Sequence, residues 1–137
     1  MNEIAAIGTL SYCDGNRLTV EIDHGLADYY RSFIPKDMKA QKPRWPTHIT
    51  VVRGDKETPV NLKHWGKYEG EEVTFNYDPD LRIDKHYYWL NVWCDRLSEI
   101  RTELGLPPKS RWTRPPSGGF HECFHITVAN KKFDALQ

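Results

Sequence analysis

Apolar and polar residues alternate along several short stretches of this chain, and a period of two predicts strands that are buried on one face. The clearest stretch is 17–23, where leucine, valine and isoleucine alternate with threonine and glutamate. The polar turn at 14–16 favours a hairpin between this strand and the one before it. The complete set of predicted strands spans residues 4–12, 17–23, 47–52, 71–77, 85–94 and 124–128.

Two other stretches have helical spacing. Apolar residues at positions 26, 29, 30, 33 and 34 predict a helix that stops at Pro35, because proline disfavours helical backbone in the residue before it. We expect the aromatic side chains of this helix to pack in the core. Asp95 is suited to cap a second helix, with apolar residues at 97, 100 and 104 and with Gly105 at its end.

The tetrapeptide His-Ile-Thr-Val occurs twice, at residues 48–51 and 125–128, each time inside a predicted strand. Side chains on a strand alternate between its two faces, so the histidine and threonine of each copy share one face. The isoleucines and valines take the buried face. One such motif is ordinarily the wet face of a half-buried strand. Repetition at a second histidine arises by chance on the order of once in a thousand, so we interpret the pair as functional.

Two histidines and two threonines suit phosphoryl transfer without a metal. Imidazole has a reference pKa near 6.5, so two of them can hold opposite protonation states around neutral pH. The neutral imidazole takes a proton from the nucleophile, and the protonated one gives a proton to the leaving oxygen. Each threonine hydroxyl can donate to a non-bridging phosphate oxygen. The sequence lacks metal-ligand motifs and carboxylate clusters near the repeats, so we expect no metal and no other cofactor.

The four polar residues of the repeats, His48, Thr50, His125 and Thr127, resemble the signature of the two-histidine (2H) phosphoesterases, which carry two HxT motifs on pseudo-symmetric strands. The resemblance implies that all four are catalytic. It also implies an α+β fold in which residues 1–137 form a single bilobal domain. Each of the two pseudo-symmetric lobes would be an antiparallel sheet with helices outside, and both HxT strands would face a central groove.

Basic and aromatic residues near the repeats are candidates for binding a nucleotide substrate. Arg44 and Trp45 end a lysine-rich connector that leads into the first repeat, and Arg114 lies in the loop before the second. Trp89 lies on the fifth predicted strand, where its ring can stack on a base, with Tyr12 as a partner on the opposite side. The ordinary alternatives are solvated loops and, for the face that carries Trp89, a second core layer or an interface.

The loops before the two repeats are similar in character. Residues 36–46 and 107–119 are both basic, and both contain a tryptophan. Two such loops at the entrance of one groove would suit a gate over an anionic ligand, whereas the ordinary interpretation is two exposed connectors. His121 has the same strand parity as His125 and is a further candidate for the mouth of the groove.

Composition limits the possible partners. The 137 residues include 19 Lys plus Arg and 19 Asp plus Glu, so any contact with phosphates must come from a local cluster of charge. No apolar run reaches membrane-spanning length and no signal-type segment is present, so we expect no membrane contact. Three widely spaced cysteines outside any CxxC pattern are typical of free thiols in a reducing cytosol. We therefore expect a cytoplasmic protein, and no obligate protein partner is implied.

Within the two-histidine superfamily, the compact length and the aromatic groove candidates look like the phage-encoded anti-CBASS phosphodiesterases. That resemblance implies cleavage of 3'–5' linkages in cyclic di- and trinucleotide immune signals, in the host cytosol. A ribose 2'-hydroxyl would attack the adjacent phosphate. The first alternative is an RNA-end enzyme that acts on 2',3'-cyclic phosphates, or an RNA ligase-like enzyme. The second is an inactive nucleotide-binding module, against which the two intact motifs argue.

Overall fold

The computed structural model describes residues 3–115 and 123–131. Within these residues, in chain order, the elements are β1 (Ile4–Cys13), β2 (Arg17–Glu21), α1 (His24–Arg31), β3 (Ala40–Gln41), β4 (His48–Val52), β5 (Glu72–Tyr77), β6 (Arg82–Ile83), β7 (Tyr87–Trp93), α2 (Asp95–Glu103) and β8 (Phe124–Lys131). Two 3-10 helices lie at Lys36–Met38 and Leu62–His64. No helix in the described part of the chain is both long and apolar enough to cross a bilayer.

Six of the strands close into one antiparallel barrel. Its order is β8, β4, β2, β1, β5, β7, and β7 pairs with β8 to complete the ring. Closure depends on β7, because its C-terminal end pairs with β5 while most of its length pairs with β8. The two-residue strands β3 and β6 extend the sheet beside β8 and β7.

The predicted bilobal α+β fold with two separate sheets is wrong, because the chain forms one mostly-β domain around a closed barrel. The two HxT strands, β4 and β8, are neighbours in a single sheet, where Ile49 pairs with Ile126. They do not face each other across a groove between lobes. Alternation along a strand determines which of its faces is apolar, but it does not determine which other strand becomes its neighbour.

The barrel interior is the hydrophobic core. Side chains without exposed surface come from five of its strands: Leu10, Val20, Ile49, Leu90 and Ile126. The predicted alternation is confirmed most clearly in β5, where exposed and buried residues alternate along all six positions. Because the apolar side chains point inward, the polar residues next to them in sequence point outward from the barrel.

The two helices pack at opposite ends of the barrel. On α1, the Tyr30 hydroxyl lies 3.1 Å from the Tyr77 hydroxyl at the C-terminal end of β5. On α2, Arg101 bonds to the Val51 carbonyl near the C-terminal end of β4. Since β4 and β5 run in opposite directions, these are different ends of the barrel. The apolar positions predicted for the second helix are buried, namely Leu97, Ile100 and Leu104.

The first helix differs from its prediction in length and packing. It ends at Arg31, and only part of its aromatic stripe enters the core. Tyr29 and Phe33 are 59% and 63% exposed, and their rings pack edge to face with centroids 4.9 Å apart. At the second helix, Cys94 occupies the N-cap position and Asp95 is the first helical residue.

Candidate active site

The four polar residues of the two repeats lie on the outer face of the barrel. Ile49 and Ile126 point into the core and pair with each other across β4 and β8. Continuing that antiparallel register puts each histidine opposite the threonine of the other repeat, so that His48 faces Thr127 and His125 faces Thr50. The two histidines are then diagonal neighbours, with Cβ atoms within about 8 Å of each other. A phosphate group fits between two imidazoles at this spacing, with a hydroxyl on either side.

This pairing explains how a sequence repeat can build a symmetric site without two lobes. Two antiparallel strands are related by a local twofold axis, and an axis between Ile49 and Ile126 exchanges the two motifs. The rows of side chains continue onto β2 and β7. There the register pairs are Glu21 with His48, Thr19 with Thr50, Trp89 with Thr127 and Asn91 with His125. Of these neighbours, Glu21 is exposed, whereas Thr19, Trp89 and Asn91 are buried beside the four motif residues.

Both imidazoles are oriented by backbone carbonyls. His48 Nδ1 lies 2.6 Å from the Pro46 carbonyl oxygen, and His125 Nδ1 lies 3.2 Å from that of Thr113. A carbonyl oxygen only accepts hydrogen bonds, so we assign the proton of each neutral ring to Nδ1. Nε2 is then the unprotonated nitrogen of both rings, and neither Nε2 has a hydrogen-bond partner within residues 3–115 and 123–131. Each ring thus keeps one nitrogen for proton transfer.

Burial lowers the pKa of both histidines. For His48 the loss of solvent is the main cause; the bond to the Pro46 carbonyl opposes it, and the charge of Arg17 lowers the pKa further. For His125, burial lowers the pKa to about 4 against the opposing effect of the Thr113 carbonyl, and His48 adds to the lowering. Both rings are therefore neutral at neutral pH in the free protein, in contrast to the opposite protonation states expected from the sequence. A bound phosphate anion would favour protonation of either ring.

A groove of about 660 Å³ opens over this face and is lined by His48, Thr50 and His125. Two smaller depressions adjoin it. One, of about 340 Å³, reaches His48 and Thr127, and the other, of about 410 Å³, reaches His125 and Thr127. All three meet at the motif residues, so ligand groups that extend in different directions would converge on one reacting position.

Positive charge is concentrated around the two histidines. Five arginines line the three depressions: Arg17, Arg44, Arg53, Arg111 and Arg114. Two carboxylates are also present, and that of Asp55 accepts a bond of 3.2 Å from Arg53 Nε. Arg17 Nε is buried and has no hydrogen-bond partner in the described part of the chain. A chain with equal numbers of acidic and basic residues thus provides, at this one place, the guanidinium groups that suit phosphate oxygens.

Three aromatic side chains stand among these arginines: Trp45, Trp112 and Tyr87. Trp45 is 61% exposed, and the Arg17 guanidinium lies 5.8 Å from its ring centroid. The Arg111 guanidinium lies 4.3 Å from the Trp112 ring. Aromatic rings of this kind can stack on nucleobases while nearby guanidinium groups bind phosphates.

The structure brings together some of the substrate-binding residues predicted from the sequence. Arg44 and Trp45 line the depression at His48, and Arg114 lines the one at His125. All three lie on the connectors that precede the two HxT strands. The proposed gate residues 116–119 and the candidate His121 lie outside the described residues.

Neither Trp89 nor Tyr12 lines the groove or the two depressions. The Trp89 side chain is 2% exposed, and its indole Nε1 donates to Asn91 Oδ1 at 2.9 Å. It presents no open ring face for stacking, because this face of β7 is a buried layer, as in the alternative considered from the sequence. Tyr12 packs edge-on against Trp65 with ring centroids 4.9 Å apart, and it does not line the three depressions.

Sequence reasoning missed Arg17, Arg53 and Tyr87 as groove residues. Alternation along β2 places Arg17 on the same face as Thr19 and Glu21, so its outward direction was available from the pattern. Its place in the same groove as His48 depends on the pairing of β2 with β4, which local sequence does not encode. Arg53 directly follows β4 and Tyr87 begins β7, and the pairing of both strands with β8 brings the two residues to one depression.

Within the described ranges, no three His, Cys, Asp or Glu side chains are close enough to share a metal ion. Metal independence therefore stays a prediction for a chelation experiment to test. No protein-family model, no curated protein and no solved structure matches this chain. The resemblance to two-histidine phosphoesterases rests on the four motif residues, and the fold that it implies is not the fold that the chain adopts.

Proposed function

We propose that this protein is a metal-independent phosphodiesterase that cleaves 3'–5' linkages of cyclic di- and trinucleotides by histidine acid–base catalysis. One observation carries the proposal. The side chains of His48, Thr50, His125 and Thr127 form an outward quartet on adjacent strands, with Nε2 of both rings left for proton transfer. The surrounding arginines and exposed aromatic rings support a ligand that carries both phosphates and bases.

In this scheme His125 is the base, because its lowered pKa keeps Nε2 unprotonated across the working pH range. Nε2 accepts the proton of a ribose 2'-hydroxyl while the 2'-oxygen forms a bond to phosphorus. The bond between phosphorus and the 5'-oxygen breaks. His48, protonated once the phosphodiester anion is bound, gives its Nε2 proton to that leaving oxygen. The products are a 2',3'-cyclic phosphate and a 5'-hydroxyl. His125 has taken up one proton, and His48 has released one.

The threonines and arginines stabilise charge in this step. The Thr50 and Thr127 hydroxyls lie beside opposite histidines and can donate to the two non-bridging phosphate oxygens as negative charge grows on them. Arg17 and Arg53 line the same groove as the histidines and can bind the reacting phosphate or its neighbour. Removing one donor of this kind typically costs a large factor in turnover, since the donor is already in place when the charge develops.

Two other functions have an observation in their favour. An RNA-end enzyme for 2',3'-cyclic phosphates, or an RNA ligase-like enzyme, recognises mainly the terminal phosphate and ribose, and the buried position of Trp89 removes one surface on which a larger ring of bases would stack. An inactive nucleotide-binding module is favoured by the lowered pKa of both imidazoles, which disfavours the protonated histidine that the reaction needs.

The test is turnover on a panel of substrates. Wild type, His48→Asn and His125→Asn are incubated with cyclic dinucleotides, cyclic trinucleotides, a 2',3'-cyclic mononucleotide and RNA with a cyclic-phosphate end, with and without EDTA. Asparagine retains a side-chain N–H for the backbone carbonyl, so the variants remove acid–base function selectively. We expect each to lower turnover by roughly 100-fold or more, and we expect EDTA to have no effect. His64→Asn is the matched control, since His64 lies beside Glu103, outside the groove.

The outcomes separate the three functions. Turnover of the mononucleotide or the RNA end alone would assign the RNA-end activity, and binding without turnover would assign the inactive module. Loss of activity in EDTA that is restored by Mg²⁺ or Mn²⁺ would rule out the metal-independent scheme. A folded His125→Asn protein with near-full activity would remove His125 from the reaction.

A further inference from the structure

An ion pair is buried behind the groove, between α2 and the loop that follows β4. Arg101 has no exposed surface and Glu57 is 8% exposed. The guanidinium holds the carboxylate through two contacts, 2.7 Å to Oε1 and 3.1 Å to Oε2. It also donates to the Pro107 carbonyl through Nε and to the Val51 carbonyl, each at 2.8 Å. Arg101 therefore binds three separate chain segments at one point.

The Glu57 carboxylate connects this point to two segments that carry groove-lining residues. One oxygen accepts a bond from the backbone N–H of Arg53 at 2.9 Å, and the other accepts from the Ser110 hydroxyl at 2.8 Å. Arg53 lines the groove, and so does Trp112 in the loop after Ser110. The two hydrogen bonds from Arg101 and those from Ser110 and Arg53 lower the pKa of Glu57 against the effect of burial, so the carboxylate stays charged.

Ser110 continues the network to His125. Its hydroxyl accepts from the Trp112 N–H at 3.2 Å, and its backbone carbonyl accepts from the Thr113 N–H at 3.2 Å. Thr113 is 1% exposed, so this turn is held firmly against the barrel. The Thr113 carbonyl oxygen accepts the hydrogen bond from Nδ1–H of His125. A path of hydrogen bonds, joined through the covalent bonds of Ser110 and Thr113, thus leads from Arg101 on α2 to the ring of His125.

We propose that Arg101, Glu57 and Ser110 are positioning residues, which hold the Thr113 carbonyl where it selects the Nδ1–H tautomer of His125 and leaves Nε2 free. A buried ion pair is weak evidence for stability, since apolar side chains of similar size often serve as well. This pair instead connects β4, the loop that follows β4 from Arg53 onward, and the loop after Ser110 that carries Trp112. Each of these three segments contributes residues to the groove. The kinetic part of this inference rests on the proposed function, whereas the tautomer of His125 does not.

The experiment uses Ser110→Ala, because truncating Glu57 or Arg101 would leave its partner charged and buried and could unfold the protein. Long-range ¹H–¹⁵N NMR on the full chain at pH 7.5 reports which nitrogen of each imidazole carries the proton. We expect wild type to show unprotonated Nε2 at His125, and Ser110→Ala to show a mixture of tautomers. We expect kcat/KM to fall roughly 10- to 100-fold, as for other misplaced reacting groups. Ser110→Thr retains the hydroxyl and should restore both readouts.

Arg96→Met is the matched control. Arg96 also lies on α2 and pairs with a glutamate, Glu71, at 3.2 Å, but that pair does not reach the groove. It should leave the His125 tautomer and kcat/KM unchanged. A Ser110→Ala protein that unfolds cooperatively and retains the wild-type tautomer would overturn the positioning role, whatever its rate. If wild type cleaves no phosphodiester, the proposed function fails, while the NMR result still decides the role of Ser110.

Discussion

Among single residues, the two histidines differ in environment although their motifs are identical. His48 bonds to the carbonyl of Pro46, two residues before it, and lies beside the charge of Arg17. His125 bonds to Thr113 in a loop from another part of the fold, and burial lowers its pKa to about 4. A repeated tetrapeptide has therefore produced a symmetric arrangement of side chains with unequal proton affinities. Such a difference is what separates a base from an acid.

The lowered pKa of His125 predicts how stability depends on pH. Between the folded value of about 4 and the unfolded value near 6.5, the unfolded chain binds more protons than the folded one. The free energy of unfolding should therefore fall as the pH drops from 6.5 toward 4, by on the order of 1–3 kcal/mol from this residue. His125→Asn should show a smaller loss. Urea unfolding of both proteins at pH 7.5 and 5 measures the difference, and equal losses would contradict the shift.

Among the elements, the strands and connectors around the HxT pair have different roles. β7 contributes Trp89 and Asn91, which are 2% and 0% exposed and bond to each other. The connector before β4 contributes Trp45, which is 61% exposed and lines the groove. Burial thus separates two tryptophans that are both substrate-binding candidates in the sequence: Trp89, the preferred one, belongs to the packing of the barrel, and Trp45 is available to a ligand.

This difference in burial predicts that replacement by alanine lowers stability at Trp89 and ligand affinity at Trp45. Trp89→Ala should lower the free energy of unfolding by about 3–5 kcal/mol, because it removes a large buried side chain. Trp45→Ala should change stability by no more than about 0.5 kcal/mol but weaken the affinity for a cyclic trinucleotide by roughly 5- to 150-fold. Urea unfolding and equilibrium binding of the two variants provide the comparison. A stable Trp89→Ala protein that binds weakly would return Trp89 to the ligand site.

In the molecule as a whole, charge is neutral in sum and uneven in distribution. The 19 basic residues equal the 19 acidic ones, yet five arginines surround the quartet of histidines and threonines. A closed barrel offers little surface for recognition other than its outer faces and loops. Here one outer face and the loops beside it carry a local cluster of arginines. Because the chain has no net charge, any contact with phosphates depends on such a cluster.

The cluster predicts salt-dependent binding. In the His125→Asn background, where we expect turnover to be slow, raising salt from about 50 to 300 mM should weaken trinucleotide binding roughly 10- to 40-fold if two or three phosphates are contacted. Arg17→Gln should flatten the log–log slope by about 0.7. Lys63→Gln is the charge-matched control, since Lys63 is exposed and outside the groove. Binding that is indifferent to salt would exclude phosphate contacts by these arginines.

The sequence by itself determined the local features of this protein. Alternation placed the strands and their apolar faces, helical spacing placed Leu97, Ile100 and Leu104 in the core, and the repeat singled out the His-Thr motifs. Each of these depends on residues a few positions apart. The direction in which a side chain leaves a strand follows from such short distances, because backbone geometry repeats every two residues.

Only the tertiary structure decided which strands are neighbours, which side chains are buried and how the pKa of each HxT histidine is shifted. The pairing of Ile49 with Ile126 joins residues far apart in the chain, and one apolar strand face looks much like another to a local pattern. For that reason two expected lobes became one barrel, Trp89 became buried and Arg17 came to line the same groove as His48. The pKa of His125 likewise depends on the loop packed over it, since burial is a property of the assembled fold.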